Sequence, residues 1–88
     1  MSLFTRDLEV LLFVATMQPA GCRAIAARSG LAPSTVHWAL RSLLAAELVA
    51  RGNFGVIDPR THEYVLTDKG RFALLEIGRQ ISQVTNTG

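Results

Sequence analysis

Two helical patterns separated by only three residues constrain the fold of this chain more than any other feature. The first pattern covers residues 22–29 and ends at Gly30, the residue best suited to the left-handed conformation that closes a helix. The second extends over residues 33–47 from Pro33, whose fixed φ suits a first helical position. Apolar side chains at helical spacing give both patterns a buried face: Ile25, Ala26, Val36, Leu40, Leu43 and Leu44. The segment therefore predicts two helices that pack across a tight turn.

Periodicity also predicts the elements on either side of this pair. Residues 5–17 have a helical pattern, and the helical period returns from Arg71 onwards. Residues 48–51 and 64–67 have the pattern of strands, and turn residues lie between them. The sequence therefore predicts a β-hairpin between the third helix and the last one.

Length and composition limit what the chain can be. It has 88 residues, of which 49% are apolar, so it can bury one core. We predict one domain over residues 1–84 and a polar tail over residues 85–88. No apolar run approaches the length of a membrane span, and no secretory signal is visible, so we expect a cytoplasmic protein without membrane association. The single cysteine, Cys22, fits a reducing compartment.

The sequence shows no catalytic machinery. It contains no Gly-rich phosphate loop, no nucleophile beside a base and no paired carboxylates in an apolar setting. Cys22, His37 and His62 fall on different elements without metal-ligand spacing. We therefore predict no enzyme activity, no metal and no cofactor. Cys22 opens a helix, where a thiolate is favoured, so a redox sensor is one interpretation, but we favour a buried or capping thiol.

The order helix, helix-turn-helix, hairpin and helix is that of a winged helix-turn-helix, an α+β, mostly helical fold with a two- or three-stranded wing between flanking helices. Residues 25–36 resemble the helix-turn-helix of bacterial regulators, especially the IclR family around Ser34-Thr35-Val36-His37. The hairpin resembles the MarR family, in which Asp-x-Arg precedes Leu-Thr-x-x-Gly: here Asp58-Pro59-Arg60 and Leu66-Thr67-Asp68-Lys69-Gly70. The resemblance covers about residues 8–75.

This resemblance implies binding to double-stranded DNA, with the helix over residues 33–47 in the major groove and the wing, residues 53–62, on the flanking backbone or minor groove. Arg41 can reach guanine O6 and N7 or a phosphate. In the MarR family the Arg that matches Arg60 enters the minor groove, and Asp58 would orient it. The predicted DNA-binding residues are Arg28, Ser34, Thr35, His37, Trp38, Arg41, Arg51 and Arg60.

Surplus apolar surface on the first and last helices predicts a homodimer. The first helix is apolar around most of its circumference, which is unusual for a surface helix of a small domain. The predicted dimer residues are Val10, Phe13, Val14, Met17, Ile77, Ile81 and Val84. The chain has neither the longer terminal helices of MarR proteins nor the separate effector domain of IclR proteins, which argues against a small-molecule effector.

Two positions depart from the pattern of such regulators. Ala32 stands where a capping Ser or Thr is common, which costs the helix about 1 kcal/mol. Trp38 stands where a basic residue is frequent. Its indole can contact thymine methyl groups, form part of a protein-binding surface, or fold back against the first helix and cover the core.

We therefore interpret the chain as a sequence-specific transcriptional regulator that binds double-stranded DNA as a homodimer. One alternative is a winged helix that binds proteins through Trp38 and the apolar stripes. Another is an architectural or replication-linked factor with little sequence preference. Both stay open because the surplus of basic over acidic residues between residues 22 and 62 is only three, five against two.

Overall fold

The computed structural model describes the backbone of residues 5–52 and 62–86, and the side chains as far as residue 79. The elements occur in the predicted order: α1 (Thr5–Met17), α2 (Cys22–Ser29), α3 (Pro33–Ala45), β1 (Val49–Gly52), β2 (Glu63–Leu66) and α4 (Asp68–Asn86). The predicted winged helix-turn-helix architecture is confirmed. No helix in the described ranges is long and apolar enough to cross a membrane.

The core lies where α1, α2 and α3 pack against one another and against the two strands. The inner face of α1 consists of Val10, Leu11 and Val14, which are fully buried. The other elements and their connections supply Ala20, Ile25, Ala26, Val36, Ala39, Leu40, Leu43, Leu48, Val49 and Tyr64. Each fully buried aliphatic side chain of this size stabilises the fold by about 1.5–3 kcal/mol relative to exposure, so this core holds the helices in place.

The orientation of α1 corrects part of the sequence prediction. Val10 and Val14 were predicted to meet a second chain, but both side chains lie in the core of their own chain. Phe13 and Met17 are half-buried and pack against the same core. The physical reason is that α1 contacts α2, α3, α4 and β2, so its own domain covers most of its circumference. Leu12, which is 49% exposed, is instead the large apolar residue that α1 leaves in solvent.

The turn between α2 and α3 forms as predicted. Gly30 has a left-handed φ of 76°, and its N–H donates to the carbonyl oxygen of Ala26 at 2.9 Å. Ala32 has the extended backbone of a helix N-cap, with φ −63° and ψ 142°, and its side chain makes no capping hydrogen bond. Pro33 then begins α3, so the predicted absence of a side-chain cap is confirmed.

α3 ends at Ala45, two residues before its predicted end. Glu47 adopts a left-handed φ of 62°. The sequence does not predict this conformation, because glutamate rarely adopts it. The N–H of Glu47 donates to the carbonyl of Leu44 at 3.0 Å, and the N–H of Leu48 donates to that of Leu43 at 2.9 Å. These two bonds close the helix and direct the chain into β1.

α4 begins at Asp68, three residues before the predicted start. The reason is a cap by Thr67, whose hydroxyl accepts a hydrogen bond from the N–H of Gly70 at 3.0 Å. The same hydroxyl donates to the carbonyl of Glu47 at 2.7 Å, which ties the start of α4 to the end of α3. α4 continues to Asn86, two residues into the segment predicted as a polar tail.

β1 and β2 pair in antiparallel register, with Val49 opposite Leu66 and Arg51 opposite Tyr64. Each strand is displaced by one residue from its predicted span, which is within the usual uncertainty of such boundaries. Ala20 forms an isolated bridge to Tyr64 through hydrogen bonds of 3.2 and 2.8 Å, so the connection after α1 joins the edge of this sheet. Residues 53–61, which include most of the predicted wing, lie outside the described residues.

Candidate nucleic-acid interface

α3 carries five of the eight residues that the sequence assigned to DNA, and four of the five lie on its outer face. Thr35 is half-buried, whereas four others are exposed to solvent: Ser34, His37, Trp38 and Arg41. Residues three and four apart on a helix are neighbours, so these four form one continuous strip. The opposite face of α3 lies in the core, which fixes the direction in which the strip points.

Trp38 stands at the centre of this strip and is 64% exposed. The interpretation in which its indole covers the core is therefore wrong. The His37 ring meets the Trp38 ring edge-on, with centroids 5.5 Å apart and planes at 74°. The guanidinium carbon of Arg41 lies 5.6 Å from the centre of the indole, within the range of a cation–π interaction.

A cleft of about 380 Å³ separates α3 from the sheet and lies beside this strip. His37, Leu44 and Arg41 line it from α3, and Arg51 and Tyr64 line it from the strands. Two arginines from different elements thus line one concave surface, and arginine is the side chain that suits phosphate best. Sequence reasoning found both arginines and His37 but missed Tyr64, because its place depends on the strand register.

The arginines near this surface are available for anionic partners. Within the described residues, no acidic side chain lies within ion-pair distance of Arg28, Arg41 or Arg51. The ion pairs found there join Arg6 to Glu9, Lys69 to Glu47 and Arg79 to Glu76. Arg28 is exposed on α2 and Arg51 is exposed on β1, so the positive charge extends beyond α3 to both neighbouring elements.

Cys22 and His62 border a separate cleft at the start of α2, with a volume of about 430 Å³. Burial raises the pKa of the Cys22 thiol above its ordinary value, and the thiol donates to the carbonyl of Pro33 at 3.5 Å. A redox sensor needs a lowered thiol pKa, so the raised pKa argues against that interpretation of Cys22. In the described ranges, no group of three His, Cys, Asp or Glu side chains is placed to hold a metal ion.

Some predicted residues lie outside the described part of the chain. Asp58 and Arg60 belong to residues 53–61, and the side chains of Ile81 and Val84 follow residue 79. Ile77 is half-buried. The apolar residues that α4 exposes most are others, Phe72 at 72% and Leu75 at 59%.

A helix-turn-helix whose second helix exposes Ser34, His37, Trp38 and Arg41, followed by an antiparallel hairpin and a helix, defines a winged helix-turn-helix DNA-binding domain of the kind found in transcription regulators. The chain belongs to the IclR helix-turn-helix family, because the IclR helix-turn-helix domain matches residues 5–52, which is more than half of its length. A search of curated protein sequences finds no significant match.

Solved structures with the same fold include MarR family regulators. The YusO protein from Bacillus subtilis is 24% identical, with a TM-score of 0.88, over 97% of this chain and 60% of its own. A MarR family transcription regulator is 16% identical, with a TM-score of 0.85, over 98% of this chain and 57% of its own. The PcaV transcriptional regulator from Streptomyces coelicolor is 21% identical, with a TM-score of 0.81, over 97% of this chain and 60% of its own. The chain thus spans about 60% of the length of these proteins. The match to the IclR helix-turn-helix domain confirms the predicted IclR resemblance, and the MarR family structures confirm the predicted fold.

Proposed function

We propose that the protein is a sequence-specific transcriptional regulator that binds double-stranded DNA as a homodimer in the cytoplasm. α3 enters the major groove, and residues 53–62 contact the flanking backbone or minor groove. The observation that carries this proposal is the exposed strip on α3, held outward by a buried opposite face in a helix-turn-helix of the IclR family. A DNA-reading helix needs this combination of a fixed axis and unpaired polar side chains.

The arginines divide into three roles under this proposal. Arg41 lies in the strip and reads a base edge, with guanine O6 and N7 as the acceptors that match its fork. Arg51 lies across the cleft on β1 and binds a backbone phosphate, and Arg28 on α2 binds a second one. The resemblance to the MarR family assigns the minor-groove contact to Arg60.

The experiment first selects a preferred site from a pool of random duplexes, then compares arginine variants on that site and on unrelated DNA. Arg51→Ala should weaken binding to every duplex equally and reduce the slope of log K against log salt concentration by about 0.9 for each protomer, or about 1.8 for the bound dimer. Arg41→Ala should relax the preference at one base pair by about 1–3 kcal/mol. Arg79→Ala, which removes the same charge from α4, is the matched control and should change neither quantity.

If no site is enriched from the pool, or if Arg51→Ala behaves like Arg79→Ala, the proposed interface is wrong. A protein that binds every duplex alike with a steep salt dependence would instead be an architectural factor. A specific regulator should prefer its site by about 10³-fold or more.

The homodimer rests on apolar surface that the folded chain leaves exposed. Phe72 and Leu75 are neighbours on one face of α4, and Leu12 is exposed on α1. Sedimentation equilibrium should give a dimer for the wild type and a folded monomer for the double variant Phe72→Glu/Leu75→Glu. The Leu12→Glu variant measures the part played by α1. A monomeric wild type at 100 μM would contradict this part of the proposal.

These exposed apolar side chains, together with Trp38, favour a second candidate, a winged helix that binds another protein. Trp38 is a side chain typical of interaction hot spots, and it is mostly in solvent. This candidate predicts no duplex binding at physiological salt, so the DNA measurements separate it from the regulator.

A further inference from the structure

Trp38 and Arg41 form a coupled pair on the DNA-facing strip. The guanidinium carbon of Arg41 lies 5.6 Å from the centre of the indole. The His37 ring meets the same indole edge-on, with the ring centroids 5.5 Å apart. All three side chains are exposed, and none of them serves the core. These three side chains therefore lie together on the outer surface of α3 and take no part in the core.

The indole limits the freedom of the Arg41 side chain. Arginine has several rotatable bonds, and an unconstrained side chain loses that freedom when it binds. A cation–π contact at an exposed site favours the conformation in which the guanidinium lies near the ring about two- to fivefold over the others. The N–H donors of a guanidinium lie at the edge of its plane, so an arginine whose side chain is already restricted presents them to a bidentate acceptor with less loss of freedom.

We propose that Trp38 is a positioning residue that preorganises Arg41 for a bidentate contact with one guanine in the major groove. The proposal rests on the proposed function and adds that specificity at this guanine depends on the indole. The role is distinct from an apolar contact between Trp38 and a thymine methyl group, which would not require Arg41.

The first test uses the free protein and needs no DNA. Relaxation of the Arg41 Nε–Hε group, measured by ¹⁵N NMR, reports the order of the guanidinium on the picosecond to nanosecond timescale. The order parameter should fall in Trp38→Leu, which keeps an apolar side chain but removes the ring. It should stay near the wild-type value in Trp38→Phe. Equal mobility of Arg41 in the wild type and in Trp38→Leu would overturn the proposal, whatever the protein binds.

The second test measures discrimination at the guanine of a selected site. Trp38→Leu should reduce the preference for that base pair about two- to fivefold and leave the preference at other positions and the salt slope unchanged. Arg41→Lys keeps the charge and loses the fork, so it should abolish the preference at the same position. In an Arg41→Ala background, Trp38→Leu should have no further effect, because the pair acts as a unit.

A Trp38→Leu effect of equal size with and without Arg41 would show that the indole contacts DNA directly and would overturn the positioning role. Failure to select any site would contradict the proposed function, while the NMR result would still decide whether Trp38 orders Arg41. Thermal unfolding of each variant checks its fold. Because Trp38 is 64% exposed, the melting temperature should change little.

Discussion

Replacing Gly70 by Ala should destabilise the protein, although alanine is the better helix former. Gly70 is buried in the first turn of α4, where the helix passes close to the end of α3 and β1. A Cβ at this position would press against the Leu48 carbonyl group, with its carbon at 3.1 Å, and would come within 2.8 Å of a methyl group of Leu66. The Leu48 atoms belong to the backbone and cannot rotate away, so α4 would have to move.

Two opposing terms set the magnitude. Gly→Ala inside a helix gains about 1 kcal/mol, whereas overpacking of a tight site costs about 1–3 kcal/mol. Because the obstacle at Gly70 is backbone, we expect the upper part of that range and a net loss of about 2 kcal/mol. With a urea m-value of about 1 kcal/mol/M for a domain of this size, the unfolding midpoint should fall by about 2 M.

Gly78 provides a matched control in the same helix. It is exposed, and among the described residues no atom beyond the surrounding turns of α4 itself lies within 4 Å of the Cβ that a substitution would add. Gly78→Ala should therefore raise the free energy of unfolding by about 1 kcal/mol. If Gly70→Ala is as stable as the wild type, or shifts in the same direction as Gly78→Ala, the close approach of α4 to Leu48 does not exist in solution.

Three further predictions concern single side chains. Ala32→Ser should stabilise the protein by about 1 kcal/mol in urea unfolding, because the extended N-cap backbone lacks a side-chain acceptor; an unchanged midpoint would contradict it. Burial raises the pKa of the Asp7 carboxyl, so the folded state binds its proton more tightly than the unfolded state does. The wild type should therefore gain stability relative to Asp7→Asn as the pH falls through that raised pKa. A pH-independent difference between the two proteins would refute this. Cys22, with its raised thiol pKa, should react more slowly with iodoacetamide at pH 7 than in the urea-unfolded protein, and an equal or faster rate would show a reactive thiolate.

The elements with local signals could be predicted from the sequence. Gly30 and Pro33 mark the end of α2 and the start of α3, and both act through their own backbone preferences. The exposed strip of α3 follows from its helical period, since the buried positions leave only one face for solvent.

The features that depend on tertiary neighbours could not be predicted in the same way. α1 has apolar residues on several faces, and only the packing of four other elements decides that Val10 is buried and Leu12 exposed. Glu47 takes a left-handed conformation without being glycine, so α3 ends earlier than its pattern indicates. The cleft beside α3 needs Tyr64, whose position follows from the pairing of β2 with β1 rather than from local sequence.

The Leu-Thr-x-x-Gly motif at residues 66–70 has a structural role that the sequence did not predict. The motif resembles the MarR family, but the helical pattern places the start of the last helix after it. In the structure Thr67 caps α4 and bonds to the Glu47 carbonyl, and Gly70 allows the close approach to Leu48. The motif therefore connects the start of α4 to the segment between α3 and β1.

The central claim is that this protein binds double-stranded DNA, and fluorescence anisotropy tests it most directly. A labelled pool of random-sequence duplexes is titrated with the protein at 50 and 200 mM salt. Contact with four or more phosphates predicts binding at the lower salt concentration that weakens by about 100-fold or more at the higher one. An absence of binding even at 50 mM salt would contradict the account and would assign the exposed Trp38 and the apolar surface of α4 to a protein partner.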